Sequence, residues 1–480
     1  MPTSFETPLN QALQHALRHL DPSNQTSVAA TATLSELRDR LAVPLNPSSL
    51  DASDVVDDLV NAVRGGILGS AGDRFFGWVI GGSLPAALAA DWLTSAWDQN
   101  AALYACGPAA AVVEEVAGEW LKDLLQLPAS ASFALVTGCQ MAHVTSLAAA
   151  RHSLLARAGW DVESAGLAGS PPIRILSSTE KHGSVVRAVR LLGLGDRNMV
   201  ALPVDQEGRL SATALTAALD EAPLQPTVVL LQAGDLNIGA FDDFTTLIPI
   251  AKARGAWVHI DGAFGLWAAA SPRYRSLLKG SNAADSWATD GHKWLNVPYD
   301  CGYAFVADPA AHTASLSHRA AYLTHDKDAR DQIEWTPEWS RRGRGFATYA
   351  ALRQLGREGV ATLIEQSCEH AQAIVHGIGT LPGAEIVWKP QINQGLVRFL
   401  DPNMEPAEED HDRFTEHVIA AILASGDAFF TATTWRDRKA MRVSVCNWQT
   451  TSKTVDTVCQ SVATVLHEAR TARLFKSSAI

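Results

Sequence analysis

Apolar residues recur along this 480-residue chain in two rhythms. Near the start the rhythm is helical. ETPLNQALQHALRHL, and then DASDVVDDLVNAVRGGIL behind an Asp/Ser cap signal, each gather apolar side chains on one face. Such an arm, residues 1–74, cannot bury that face alone and is expected to pack on the main body or on a second subunit. From Phe75 to about Ala310 helix and strand patterns alternate. ADWLTSAWDQNAAL and AAAVVEEVAGEWLKDLLQL read as helices. FALVTG (133–138), IRILSS (173–178), MVALPV, TVVLLQAG, AWVHIDG and GYAFVAD (302–308) are continuous apolar runs, which predict strands covered on both faces of a mostly parallel sheet. Helices are expected from about Met141 to Arg157 and near Gly183–Leu192. FATYAALRQLGREGVATLIEQSCEHAQAIVHGI reads as one long helix. Beyond it EIVWKP, QGLVRFL, a helix over 408–424, AFFTATT, AMRVSVC and a helix over 452–470 predict a small α+β domain. The expected division is a helical arm (1–74), a large α/β domain (75–320), a loop or linker (321–345) and a small C-terminal domain (346–480).

Composition narrows the function classes. A hydrophobic content of 47% supports a large core and more than one domain. The formal net charge of -12 argues against nucleic acid or an anionic lipid surface as a partner. The first twenty residues lack a basic segment followed by a long apolar one, so they do not read as a secretory signal. Apolar runs stay shorter than the roughly 18 residues of a membrane span. The six cysteines are scattered, with neither a CxxC pair nor zinc spacing. They read as reduced thiols of a cytoplasmic protein, and no metal site is expected.

The chemistry lies at the strand ends. Thr137-Gly138-Cys139-Gln140 leads a strand into a helix, a place where amide N–H groups meet a phosphate, although many α/β turns look the same. His182 follows the next strand and suits a helix cap or surface position equally. Asp261, in WVHIDGAFG, ends an apolar strand, where a carboxylate is costly unless it meets a cation. A protonated ring nitrogen would serve, as would a backbone or Arg partner. Lys293, in WATDGHKWL, comes 32 positions later. Lysine at such an edge is expected to be desolvated, its pKa lowered, as an imine-forming amine needs; by itself it would read as a surface residue. Together the four fall in order at successive strand ends, where α/β sheets bind ligands. That is the set pyridoxal phosphate (PLP) requires: a phosphate cradle, a ring-stacking group, a carboxylate for the pyridine nitrogen and a Schiff-base lysine.

From about Phe75 to 470 the chain resembles the group II PLP-dependent amino-acid decarboxylases, the aromatic-amino-acid and glutamate decarboxylases among them. RFFGW (74–78) is similar to the aromatic segment lining the family's substrate pocket, VTGCQMAH (136–143) to its phosphate segment and STEKHGS (178–184) to the one bearing the ring-stacking His. AGDLNIGAFD (233–242) is similar to its Gly-Thr-Thr stretch, HIDGAFG to His-Val-Asp-Ala-Ala, GHKWLNVPYDCG (291–302) to its lysine segment and SRRGRG (340–345) to its basic motif. The resemblance implies a type I PLP-transferase fold, aspartate aminotransferase-like, with a large α/β domain and a small α+β domain. It implies a Schiff base on Lys293, Asp261 at the pyridine nitrogen, and His182 and Ala263 on the two ring faces. Thr137, Gly138, Cys139 and Gln140 would lie near the phosphate, with Asp290 and His292 beside them.

Departures from the family pattern mark where the function is open. Cys139 and Gln140 stand where small and hydroxyl residues are usual, and His143 where Asn is common. Gly234-Asp235-Leu236 replaces Gly-Thr-Thr, which leaves Asn237 as the candidate for the cofactor's phenolic oxygen. A carboxylate at 290 is a poor phosphate ligand unless it acts indirectly. The family's loop tyrosine, which protonates the carbanion after CO2 leaves, has no counterpart between Leu323 and Arg342. His325, Lys327, Trp335 and Trp339 lie there instead, and His325 could be the replacement acid. Relatives without the tyrosine can pass the electrons to oxygen and give an aldehyde. The expected activity is therefore α-decarboxylation of an L-amino acid by Schiff-base exchange. Oxidative decarboxylation to an aldehyde, carbon–carbon lysis and a non-catalytic binding role are the rivals. Trp78 and Tyr104 favour an aromatic or bulky substrate, and the resemblance implies a homodimer.

Overall fold

The computed structural model describes residues 4–21, 27–318, 329–403 and 405–477. The chain divides into two compact units, one of Gly81–Ala371 and Trp388–Gly395, the other of Met1–Ile80, Gln372–Val387 and Leu396–Ile480. The expected arm thus falls in the smaller unit with most of the segment 346–480, and residues 346–371 fall in the larger.

In the smaller unit the arm forms helices α1 (Glu6–Leu20), α2 (Leu34–Leu41) and α3 (Ala52–Ala62). Thr33 and Glu36 close a reciprocal capping box on α2, and the Asp51 carboxylate caps α3. Gln11 and His15 of α1 both reach Asp57 of α3. Every residue of these three helices keeps some exposure, and Leu9, Leu17, Val55 and Leu59 are exposed apolar side chains.

The larger unit carries helices α4 (Pro85–Trp97) and α5 (Pro108–Leu124), then strand β1 (Ser132–Val136) and helix α6 (Cys139–Arg157). Strands β2 (Arg174–Ser178), β3 (Met199–Leu202), β4 (Thr227–Gln232), β5 (Trp257–Asp261), β6 (Ser286–Asp290) and β7 (Gly302–Val306) complete a seven-stranded sheet in the order β1-β7-β6-β5-β4-β2-β3. Its pairs are parallel from β3 to β6, while β7 runs antiparallel to both neighbours. Every residue of β1, β2, β4, β5, β6 and β7 is buried, as the apolar runs at β1, β2, β4, β5 and β7 predict; MVALPV departs from that expectation, because its strand β3 is the sheet's partly exposed edge. The strand β6 is less apolar in sequence, SWATD, and is held by its register with β5 and β7.

Small side chains decide how close α6 comes to this sheet. Ala134, Val136, Ala288 and Ala304 of the strands pack on Cys139 and Ala142 of the helix. Little bulk separates the helix from the sheet, so polar groups on α6 can reach the ends of β5 and β6.

A second sheet, β8 (Ala384–Trp388), β9 (Gln394–Phe399), β10 (Thr431–Trp435) and β11 (Arg438–Ser444), has the order β10-β11-β9-β8. The helices Glu408–Ser425 and Ser452–Ser477 accompany it. The expected long helix, Gly345–Gly379, is broken at Gly356, whose φ of 60° and ψ of -176° interrupt the helical backbone. Glycine reaches that conformation without a Cβ penalty, and the uninterrupted apolar period hid the break. Among the described residues no helix is long and apolar enough to cross a membrane.

Candidate active site

Strand ends and the turns after them gather Cys139, Asp261, Asp290, His292 and Lys293 on one side of the large sheet. The site has two ends.

At the first end stands Asp261, the last residue of β5. Its Oδ1 accepts from the Ala263 N–H at 3.1 Å and from the Cys139 thiol at 3.8 Å. Its Oδ2 lies 3.5 Å from His143 Nε2. His143 sits one turn into α6 with no exposed surface, and its Nδ1 is 2.9 Å from His259 Nε2. His259 Nδ1 is 2.8 Å from Ser286 Oγ, which also accepts from the Trp257 indole N–H at 2.9 Å. Burial alone would raise the pKa of Asp261; the His143 ring, with His182 and Lys293, holds it well below the usual carboxylate range. Burial, with His143 adding to it, lowers His259 to about 3, so its ring is neutral. Burial and the carboxylates of Asp261 and Asp290 push the Cys139 thiol well up. Cys139, His143 and Asp261 bring donor atoms within 4.8 Å of one another, spacing that a metal ion could use, but a thiol held protonated is a poor ligand.

At the other end stands Asp290, 2% exposed at the close of β6. Its Oδ1 accepts from the Cys139 N–H at 2.6 Å, the first amide of α6. Its Oδ2 is 3.0 Å from Lys293 Nζ, and Oδ1 is 3.4 Å from His292 Nε2. The carboxylate at 290 therefore works through the helix terminus and the lysine. The Cys301 N–H donates to His292 Nδ1 at 3.1 Å, and the His292 ring stacks on Tyr299 with centroids 4.2 Å apart. Burial keeps the His292 pKa below its ordinary value, although Asp290 opposes this.

The Lys293 pKa departs from expectation. Burial pulls it down, but Asp290 in contact, with Cys139 and Asp261 nearby, more than offsets that and holds the ammonium above its ordinary range. The sequence shows a lysine at a buried edge and hides the carboxylate that shares it.

Two close approaches fix the frame. A Cβ on Gly302, where β7 begins, would lie 2.5 Å from Gly138 in the turn that opens α6. A Cβ on Gly81 would lie 2.0 Å from the Lys293 carbonyl oxygen, and the neighbouring Gly82 N–H donates to Asn296 Oδ1 at 2.8 Å. The lysine turn is thus clamped by backbone on backbone.

The remaining predicted residues have other surroundings. His182 is exposed and caps the helix Gly183–Leu191, its Nδ1 accepting from the Ser184 N–H at 3.2 Å. Thr137 and Gln140 are half-buried on either side of the turn. Ala263 is half-buried, and its carbonyl accepts from the Asp290 N–H at 2.9 Å. Asn237 lies in a turn organised by Asp235, whose carboxylate accepts from the N–H groups of Asn237, Ile238 and Ala240. Tyr104 opens a short turn anchored by its N–H to Asp331 at 2.9 Å. Trp78, in the smaller unit, packs on Phe75 and Phe429 and is 48% exposed. His325 and Lys327 lie outside the described residues.

Sequence reasoning saw His143 only as a departure and passed over the chemistry of His259, Ser286 and Gln232. Gln232, at the end of β4, is paired in register with Asp261 and donates to Ser178 Oγ at 2.8 Å. The available signals were the i, i+4 spacing of Cys139 and His143 and the i, i+2 spacing of His259 and Asp261.

A sheet with this strand order and a lysine and a carboxylate at adjacent strand ends is that of the type I PLP-dependent enzymes. The family described as "Pyridoxal-dependent decarboxylase conserved domain" matches residues 36–400, and the chain belongs to it. It is 28% identical over 392 residues to an L-2,4-diaminobutyrate decarboxylase of Rhizobium meliloti, covering 80% of this chain and 76% of that one. It is 25% identical over 469 residues to an aromatic-L-amino-acid decarboxylase of Bacillus atrophaeus, covering 95% and 94%. The fold is that of the Oryza sativa TDC solved with PLP and tryptamine, with a TM-score of 0.91 at 23% identity over 98% and 99% of the two chains. The chain is thus a PLP-dependent decarboxylase, a carboxy-lyase of amino-acid metabolism. The residues present fit the cofactor: an ionised carboxylate for a cationic ring nitrogen, an amine for an aldehyde and a helix N-terminus for a phosphate.

Proposed function

We propose that the chain removes the α-carboxyl group of an aromatic or bulky L-amino acid, with Lys293 and Asp261 as the residues that hold the reactive parts of PLP. The observation that carries this reading is a buried Asp261 kept ionised beside a lysine whose ammonium is paired to Asp290. Lys293 would hold the cofactor's aldehyde carbon and Asp261 its ring nitrogen. Thr137, Gly138, Cys139 and Gln140 would lie at its phosphate, with Asp290 and His292 adjoining. His182 and Ala263 would cover the ring faces, and Asn237 would meet the phenolic oxygen. Bound there, PLP supplies a sink for the electron pair left when CO2 departs. The chain's own task is to hold the carboxylate being lost out of the ring plane, an effect of positioning. A proton must then reach the α-carbon, and His325 is the proposed donor. Trp78 and Tyr104 keep the substrate-side role that the resemblance implies.

The missing loop tyrosine favours one second reading, in which the same site yields an aldehyde by consuming oxygen. We further infer a homodimer, supported by the exposed apolar side chains of α1 and α3, and a cytoplasmic location, supported by six free cysteines. The deciding experiment offers a panel of aromatic, acidic and basic L-amino acids to PLP-loaded protein and measures CO2, amine, aldehyde and peroxide together. CO2 with equal amine is the expected result. CO2 with aldehyde and peroxide selects the second reading, and no CO2 from any substrate overturns both.

A further inference from the structure

The buried polar chain behind Asp261 has a direction that chemistry dictates. His143 Nε2 lies 3.5 Å from Asp261 Oδ2 and 3.4 Å from Cys139 Sγ; the carboxylate can only accept, and the single thiol proton is donated to Asp261 Oδ1, so Nε2 carries a proton. With one proton on His143, its Nδ1 is bare and accepts from His259 Nε2–H; His259, held neutral by burial, then has a bare Nδ1 that accepts from the Ser286 hydroxyl. The Ser286 oxygen accepts from the Trp257 indole, which can only donate. The carboxylate end sets this direction, and the Ser286 hydroxyl, with one proton and two lone pairs, accommodates it while accepting from the indole. If His143 instead carries two protons, Nδ1–H donates to His259 and Nε2–H still faces Asp261.

We propose that His143 is a positioning residue that keeps its Nε2 proton on Asp261, so that the proton shared between Asp261 and the PLP ring nitrogen resides on the ring. The inference rests on the assignment of Asp261 to that nitrogen. A carboxylate that already receives His143, the Cys139 thiol and the Ala263 N–H is a weak base, and it leaves the next proton to its partner. Without His143 the carboxylate becomes the stronger base, the proton moves to it, and the ring turns neutral. The other titratable or charged groups around Asp261 are Cys139 on α6, His259 on β5, His182 at its helix cap, and Asp290 with Lys293 after β6. Cys139 is held protonated and His259 neutral, while Lys293 is engaged with Asp290. His182 is exposed at its helix cap, so His143, with no exposed surface, is the group placed to hold a proton on Oδ2.

The test uses the full-length protein loaded with PLP carrying 15N in its ring. Wild type is measured first: a borohydride-fixed adduct on Lys293 together with a ring nitrogen that is sensitive to Asp261→Asn supports the parent assignment, and the lack of either overturns that assignment instead. In His143→Leu the 15N resonance is expected to move toward that of neutral pyridine. PLP affinity at mildly acidic pH should fall about tenfold for each unit by which the Asp261 pKa comes to exceed the pH. His143→Gln, which retains a donor, should recover the protonated resonance. An unchanged ring nitrogen and an unchanged pH dependence of PLP binding in the Leu variant would overturn the proposal. If that variant does not fold, wild type labelled with 15N-histidine decides: an Nε2–H retained from pH 6 to 9 on the resonance that disappears in His143→Gln is expected, and a bare Nε2 refutes it.

Discussion

The two ends of the site satisfy their charges in opposite ways. At the Asp261 end the partners are built into the sheet and α6: a buried imidazole, a thiol and a backbone amide, supported from behind by His259, Ser286 and Trp257. At the Asp290 end one carboxylate is divided among the Cys139 amide, Lys293 and His292, and Lys293 is only partly buried. The first arrangement is complete before any ligand arrives. On the proposed reading the second is exchanged: Lys293 would give up its proton and the helix terminus would meet a phosphate. The contrast separates what is preorganised from what is displaced on binding.

Breaking the exchangeable end altogether should have the largest effect. Lys293→Ala is expected to lower turnover by about a thousandfold or more and to abolish the borohydride-fixed adduct. Persistence of that adduct would place the amine elsewhere. Next comes the fixed end, where Asp261→Asn should lower kcat by roughly a hundredfold and leave KM nearly unchanged, because the loss falls on charge that develops during reaction. A change confined to KM would mean that the carboxylate only binds. A gentler change sharpens the contrast. In Asp290→Asn the chief influence raising the Lys293 pKa is gone, so more free amine is present near neutrality. The rate at which apo-protein captures PLP should then begin to rise at lower pH than in wild type, as followed by stopped-flow absorbance. The smallest effect concerns stability. His259 has a folded pKa of about 3 against an ordinary 6.5, so the unfolded chain binds the extra proton between those values and stability falls as pH drops through that window. At pH 5 the loss from this residue is about 2 kcal/mol relative to pH 7.5. Urea titrations of wild type and His259→Gln should differ in pH dependence by that amount.

The same contrast explains what could be read from the chain. The ends of β1, β2 and β5 announce themselves because a fully buried strand is a continuous apolar run, and Asp261 and Lys293 stand out at such ends. β6 is plainer, since SWATD owes its place to neighbours on both sides. The pairing of His143 with His259 spans 116 residues and depends on how closely α6 approaches the sheet, a distance set by alanines on four separate elements. The Lys293 pKa is illegible in the sequence for a related reason: burial is visible in an apolar neighbourhood, whereas a carboxylate three residues away is seen as a partner only once the turn is folded. The break at Gly356 escaped because an apolar period continues through a kink unchanged.

Helix α6 carries the Cys139 amide at its first position and His143 one turn later. A single rod therefore serves both ends of the site, and each residue added to it rotates everything downstream by about 100°. Substitutions at 139, 140 or 143 can retune the pocket, but an insertion or deletion among them would turn the imidazole away from Asp261. The segment is therefore constrained in length as well as in identity at 143, and variation aimed at new activities should leave its register intact.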